Sequence, residues 1–432
     1  KEIKISLLAD DTTIFTKDID SLQKVLETMT TFTKLSGLKI NQTKTKVLQV
    51  GLQEWNVKKL KLTNVKEIYS LGTWFYKDTN EINKQNYDKK FKLFESIINY
   101  WKNKDLNILE RIRIIKTYAL SKLHYTISSL EITQDYAEKI QNTLNDFIWQ
   151  GKKPKIKQKV SYQNIENGGL SIPNIEILIK ANRASWIKRL IEDNINANYL
   201  QKFLPFISLS DFLQCNFNPN DLNDNIPTFY YQILYAWFDL KREPENVLDI
   251  RRQYIAYNQY IKINQKCITD QSFLNPSMVK INDLVDSTGK FKTCQQFCIE
   301  TGKQMNFYQY MSLIDAIPRK WRQMLKLQNV DQRVCRPNEG IILTLHNKSI
   351  QNVHSVKSKE IYWFFINENL ILPTCINSWN LRLNINYDVN NWKPIFVLPF
   401  QCTNNPQIRD MQIKILHRFY PCKSIIAKFD KN

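Results

Sequence analysis

Two adjacent carboxylates, Asp10 and Asp11, sit inside an apolar, β-branched run, ISLLADDTTIFT, at residues 5–16. Carboxylate oxygens are hard donors suited to divalent cations such as magnesium. An Asp-Asp pair by itself is common, since average usage puts about one in a chain this long. The setting is less common. Two short strands, KISLL and TTIFT, flank a tight turn at Ala9-Asp10-Asp11, and Asp tolerates turn geometry. Neighbouring strand residues point to opposite faces, but at a hairpin apex both carboxylates can reach one side.

A second group of chemically suggestive residues is basic. The loop GKKPKIKQK carries Lys152, Lys153, Lys155, Lys157 and Lys159. Upstream, Arg111, Arg113, Lys116 and Lys122 lie near Tyr118 and Tyr125. Such mixtures suit a strand-binding groove, because cations hold phosphates and aromatic faces stack bases. A solvated lysine loop is the alternative. Trp149, just before the loop, reads as a core anchor at a helix end rather than a stacking platform. Cys294 and Cys298 in CQQFC are close, but have no second nearby pair and no His at finger spacing. They read as core or surface thiols, with zinc a lesser option.

The whole chain sets the frame. Its 432 residues allow more than one domain, and 43% hydrophobic content makes it globular. The net charge of +20, from 61 Lys and Arg against 41 Asp and Glu, argues for a polyanionic partner, nucleic acid first. Solubility alone is the rival explanation. No apolar run is long enough to span a bilayer, and no secretory signal opens the chain. The eight cysteines form no disulfide-like framework, which fits a reducing intracellular compartment. The first residue is Lys1, so the chain reads as a piece of something longer or a processed product.

The elements that must position these groups read as an α+β layer followed by helices. After the acidic hairpin comes a helix with Asp20 as N-cap and Gln23 completing a capping box. Leu22, Val25, Leu26, Met29, Phe32 and Leu35 give it one buried face, and Gly37 stops it. LKI and KVLQV read as strands, and KKLKLT with IYSLGTWFY as a hairpin. Phe91, Phe94, Ile98 and Trp101 then mark a long helix. Leu109, Ile112, Lys116, Ala119 and Leu123 mark a second, with Arg111 and Arg113 on its other face. Tyr136, Ile140, Leu144 and Phe147 mark a third. Residues 195–335 are harder to read. KINDL suggests a strand there, with a DSTG turn and a helix after it. IILTLH reads as a strand, and KEIYWFFINENL and NPQIRDMQIKILHRFY read as helices.

These blocks in this order resemble a known family. LADD, a helix, SGLKINQTKTKVLQV and YSLGTWF are similar to the second half of the palm of a reverse transcriptase of the LINE type, from retrotransposons lacking long terminal repeats. Leu8 stands where that family's acidic motif usually has an aromatic. The likeness continues through LNILERIRIIKTYALSKLHY, FIWQGKKPKI and GGLSIPN, and again through EIYWFF and IRDMQIKILHRFYP. It implies an α+β fold: a partial palm with primer-grip hairpin over residues 1–80 and a helical thumb over 81–150. A post-thumb mixed region would cover 151–335, and a C-terminal α/β region 336–432.

The resemblance implies RNA-directed DNA synthesis primed at a nicked target, by two-metal phosphoryl transfer. Asp10 would be a magnesium ligand and Asp11 a second or supporting one. Lys44 would assist the leaving pyrophosphate, or else be a solvated lysine. Asn41 would shape its turn. Tyr69, Leu71 and Gly72 would set the primer grip. RNA template and DNA primer or target would be the partners, and no membrane is implied. The oligomeric state is left open. The setting would be intracellular, nuclear with a cytoplasmic ribonucleoprotein stage.

The departures matter as much. The family's third carboxylate comes from an earlier strand that this sequence does not contain, so the magnesium site is incomplete and the chain alone is expected to be inactive. The family's zinc knuckle is not completed by His417 and Cys422, and no endonuclease is evident. The rival reading is a non-catalytic nucleic-acid-binding remnant or repurposed protein.

Overall fold

The structure is a computed structural model that describes residues 5–51, 55–78, 80–192, 194–204, 209–222, 225–241, 243–269, 279–330, 342–343, 351–368 and 370–421. The fold is mixed α and β. Helices dominate, and the strands of the described residues form five two-stranded sheets. The chain divides into two compact units, one built from residues 1–105 and 113–136, the other from 106–112 and 137–432.

In the first unit, β1 (Ile5–Leu8) and β2 (Asp11–Ile14) make the expected antiparallel hairpin. Helix α1 (Ile19–Ser36) follows and ends at Gly37, whose φ of 75° completes a left-handed cap. Its N-cap is Asp18, not Asp20: the Asp18 carboxylate accepts from the Ser21 backbone N–H at 2.7 Å. The expected buried face of α1 is present as a stripe but is not buried. Leu22, Val25, Leu26 and Met29 are half-buried, and Phe32 and Leu35 are exposed. Periodicity marks an apolar face but does not supply the surface that covers it.

LKI forms no strand. Instead β3 (Lys46–Leu48) pairs in parallel with β4 (Thr63–Val65), after a short 3-10 turn at Val57–Leu60. β5 (Glu67–Ser70) and β6 (Thr73–Tyr76) then form a hairpin of their own, so KKLKLT is not the partner of IYSLGTWFY. Helix α2 (Asn80–Lys102) buries Tyr87, Phe91, Phe94 and Ile98. Helix α3 (Ile108–Ile114), whose residues through Ile112 belong to the second unit, runs into a π-turn at Ile115–Ala119 and then α4 (Ser121–Ser129), which packs on α2. The π-turn interrupts what reads in sequence as one helix, and it buries Ile115 while leaving Lys116 exposed.

In the second unit, α5 (Gln134–Trp149, from Ala137 on) is followed by α6 (Gln158–Tyr162) and α7 (Ile175–Glu192). Next come α8 (Asn194–Gln201), α9 (Leu209–Gln214) and α10 (Thr228–Leu240). Helix α7 packs against α10 and against α16 (Ser358–Glu368), so apolar contacts surround it and it has no single greasy stripe. Its buried Arg183 is satisfied in place, donating to Gln232 Oε1 at 3.1 Å and lying over the Phe229 ring. Trp237, Phe212 and Phe217 centre this core.

A second core gathers α11 (Val247–Arg251), Ile261 and Ile268 at the ends of the β7–β8 hairpin (Lys262–Ile263 and Lys266–Cys267), and α12 (Ile281–Leu284). It is completed by α13 (Cys294–Thr301), α14 (Phe307–Ala316) and α15 (Arg319–Leu325) around Phe297 and Trp321. KINDL is thus a helix here, not a strand. Of IILTLH only Ile342–Leu343 is described; it forms β9, paired with β10 (Gln351–Asn352), and the rest of that segment lies outside the described residues. A third cluster, around Trp392 and Phe396, joins α17 (Thr374–Leu383), α18 (Val389–Cys402) and α19 (Pro406–Leu416).

Candidate nucleic-acid interface

The acidic hairpin is built as its sequence suggests. Leu8 pairs with Asp11, leaving Ala9 and Asp10 as a two-residue turn, with Ala9 at a φ of 51°. Both carboxylates are exposed, as are Ile5, Leu7 and Leu8 behind them. Among the described residues the sheet has two strands. Among the described residues no group of three His, Cys, Asp or Glu side chains could hold a metal. Two exposed carboxylates alone do not fit a two-metal centre, which needs further fixed oxygen donors around both ions.

Lys44 lies in an exposed turn organised by Asn41, whose side-chain oxygen accepts from the Lys44 N–H at 3.1 Å and the Thr43 hydroxyl at 2.7 Å. Asn41 therefore shapes its turn as expected. No hydrogen bond or ion pair links Lys44 to Asp10 or Asp11 among the described residues.

The β5–β6 hairpin is the most firmly held of the predicted sites. Leu71 and Gly72 form its tip with φ of 49° and 82°, the pattern of a type I′ turn. The Tyr125 hydroxyl on α4 donates to the Leu71 carbonyl at 2.6 Å. A Cβ at position 72 would sit 3.1 Å from the Tyr125 ring, so both backbone conformation and space favour glycine.

Strand β6 of the hairpin is clamped by Asn86 on α2. The Trp74 N–H donates to its amide oxygen at 2.9 Å, and its amide nitrogen donates to the Trp74 carbonyl at 2.7 Å. Lys89 lies 3.7 Å from the Trp74 ring centroid and donates to the Tyr76 hydroxyl at 2.9 Å. Tyr69 packs beside Trp74, with centroids 5.1 Å apart, yet keeps 53% of its surface exposed. The result is a rigid finger presenting a turn backbone and one aromatic face. Sequence reading missed Asn86 and Lys89, because a polar residue on a helix carries no signal of a partner 12 or 13 positions away.

The basic helix residues divide into two kinds. Arg113, Lys116 and Lys122 are exposed, beside exposed Tyr118 and Tyr125. Packing around the Lys116 ammonium lowers its pKa by desolvation, although the residue reaches solvent. Tyr118 stacks on Trp101, with ring centroids 6.3 Å apart.

Arg111 is a correction. It is 2% exposed, so it cannot meet a phosphate. Its guanidinium donates to the Leu106 carbonyl at 2.9 Å and the Phe147 carbonyl at 2.9 Å, and lies over the Phe147 ring. The Phe147 carbonyl is among the last four of α5, which have no intrahelical partner, so Arg111 caps that helix and complements its dipole.

The lysine loop starts where α5 ends. Gln150 and Gly151 both take positive φ, at 55° and 71°, and Trp149 is 8% exposed, an anchor as expected. All five lysines, 152, 153, 155, 157 and 159, are exposed. Between them Ile156 is 7% exposed, and Val160 just after them is 1% exposed. The loop is therefore pinned by one apolar side chain while its cations face water. Lys157 caps α6 with its carbonyl, and Lys159 lies within that helix. Exposed ammonium groups of this kind can neutralise phosphates whatever the base sequence.

Comparison with known proteins adds one similarity. No protein-family model matches the chain. Over 195 residues, 44% of this chain, it is 24% identical to a protein described as "Transposon TX1 uncharacterized 149 kDa protein" from Xenopus laevis. The aligned stretch covers 15% of that protein's length.

Proposed function

We propose that the chain derives from a LINE-type retrotransposon reverse transcriptase and binds an RNA–DNA primer-template without polymerising on its own. The similarity to a transposon protein supports the origin. The observation that carries the binding role is the pinned loop of five outward-facing lysines in a chain of net charge +20. Phosphate contacts of this kind give affinity and orientation without sequence readout. The clamped β5–β6 hairpin suits the neighbourhood of a strand terminus, because Asn86 fixes its β6 strand and Tyr125 its tip.

Polymerisation requires two magnesium ions held between several carboxylates. Asp10 and Asp11 supply two exposed carboxylates at a hairpin apex, and no metal-holding group of three forms around them among the described residues, so no catalytic step is assigned to them within this chain. A primer-extension assay with magnesium and nucleoside triphosphates tests this directly. The expected result is retention of labelled primer-template with no extension. Template-dependent synthesis by the isolated chain would overturn the assignment, and so would failure to retain primer-template at low salt.

A further inference from the structure

Cys294 and Cys298 are not used by the proposed function, and their surroundings are unlike those of ordinary core thiols. They lie four residues apart on α13, on one face of a helix fixed at its start by a Thr293–Gln296 capping box. Both thiols donate to one acceptor, the Met305 carbonyl, at 3.6 and 3.8 Å. Both side chains are partly exposed.

Cys294 also lines an apolar cavity of about 700 Å³ that includes Met305, Met311, Phe291, Phe307 and Tyr310. Met311 is 38% exposed and Phe307 61%, so the cavity is reached from solvent. The lining thus gathers two methionines with the Cys294 thiol, and Cys298 reaches the same Met305 through its backbone carbonyl. The same cavity wall includes Lys292, whose ammonium is engaged by Glu300 at 2.5 Å.

We propose that Cys294 and Cys298 form a two-thiolate site for a soft monovalent d10 cation of the Cu(I) type, with Met305 and Met311 as thioether neighbours. Sulfur donors select such ions over magnesium or calcium. A structural zinc would need four ligands, and no third His, Cys, Asp or Glu joins the pair among the described residues. A direct disulfide fits poorly. Four helical residues advance about 6 Å with Cβ directions nearly parallel, whereas a disulfide needs Cβ atoms about 4 Å apart. An ion bridging two sulfurs spans that gap without bending α13. On binding, each thiol releases its proton to solvent and each sulfur forms one metal bond. The oxidation state of metal and sulfur is unchanged.

The test is anaerobic titration of the reduced full chain with Cu(I) against a chromogenic Cu(I) chelator, with iodoacetamide mapping of the thiols. The expected result is one tight equivalent that protects Cys294 and Cys298, and no others, from alkylation. C294S/C298S should lose that equivalent, C402S should keep it, and M305L/M311L should weaken it on the order of tenfold, as loss of supporting groups does at metal sites. Circular dichroism checks that the double cysteine variant folds; the alkylation map of the wild-type chain decides the matter if it does not. Retention of the tight equivalent by a folded C294S/C298S chain would overturn the proposal. So would Cu(I) leaving both thiols as reactive as before, or mild oxidation linking the two cysteines in a disulfide.

Discussion

Replacing Arg111 separates a structural cation from a phosphate-binding one. The side chain is 2% exposed and holds two backbone carbonyls, of Leu106 and of Phe147. Arg111→Met keeps the length and removes the donors. Each buried carbonyl left without a partner costs roughly 1–3 kcal/mol. Release from desolvating a guanidinium offsets part of this, and loss of the cap at the end of α5 adds to it. The sum is a loss of about 3 kcal/mol, close to a hundredfold shift in the folding equilibrium. Arg111→Lys keeps the charge but not the fork, and is expected to lose about half as much.

The assay is urea unfolding followed by fluorescence, with Trp149 beside the affected helix end. The midpoint should fall with the slope unchanged. Binding of primer-template by the folded fraction should be unaltered. A variant that unfolds within about 0.5 kcal/mol of wild type but binds nucleic acid several-fold more weakly would refute the assignment.

Three further outcomes follow from the geometry. Asn86→Ala removes both partners of the Trp74 backbone, so it should cost roughly 2–4 kcal/mol and speed hydrogen exchange along β5 and β6. Tyr125→Phe deletes one hydrogen bond, to Leu71; about 1 kcal/mol is expected, with faster exchange at the hairpin tip and α4 intact. His417 is pushed by burial from an ordinary value near 6.5 down to about 4. The unfolded chain therefore takes up a proton that the folded chain refuses, so stability falls as pH drops from about 6.5 to about 4 and levels off below, by up to about 3 kcal/mol. His417→Gln should flatten that part of the stability–pH curve.

Much of this architecture was legible in the residues. Alternation around Asp10 and Asp11, the helix ending at Gly37 and the stripe of Phe91, Phe94 and Ile98 each follow from local periodicity and turn chemistry. The α5 anchor at Trp149 and the exposure of the lysine loop follow the same way. What was hidden depends on partners far along the chain. Arg111 reads as a surface cation because nothing local announces a carbonyl 36 positions later. The π-turn is hidden because Leu109, Ile112, Lys116, Ala119 and Leu123 keep a plausible helical spacing. Only the lysine within that stripe hinted that Ile115 takes the buried place. The parallel pairing of β3 with β4 rests on three-residue strands, too short for a period to show. The partly covered face of α1 illustrates the converse, since an apolar stripe specifies a need for cover and not its source.

The proposed nucleic-acid binding rests on the lysine loop meeting phosphates, and the salt dependence of affinity would read directly how many phosphates the loop neutralises. The slope of log affinity against log salt should be markedly shallower when Lys152, Lys153, Lys155, Lys157 and Lys159 are all replaced by Gln. The change should approach about 0.9 for each phosphate that is no longer neutralised on duplex, and about 0.7 on single strands. Lys→Gln at five exposed positions away from the loop serves as the control for net charge and should shift the slope far less. An unchanged slope in the loop variant would contradict the central claim.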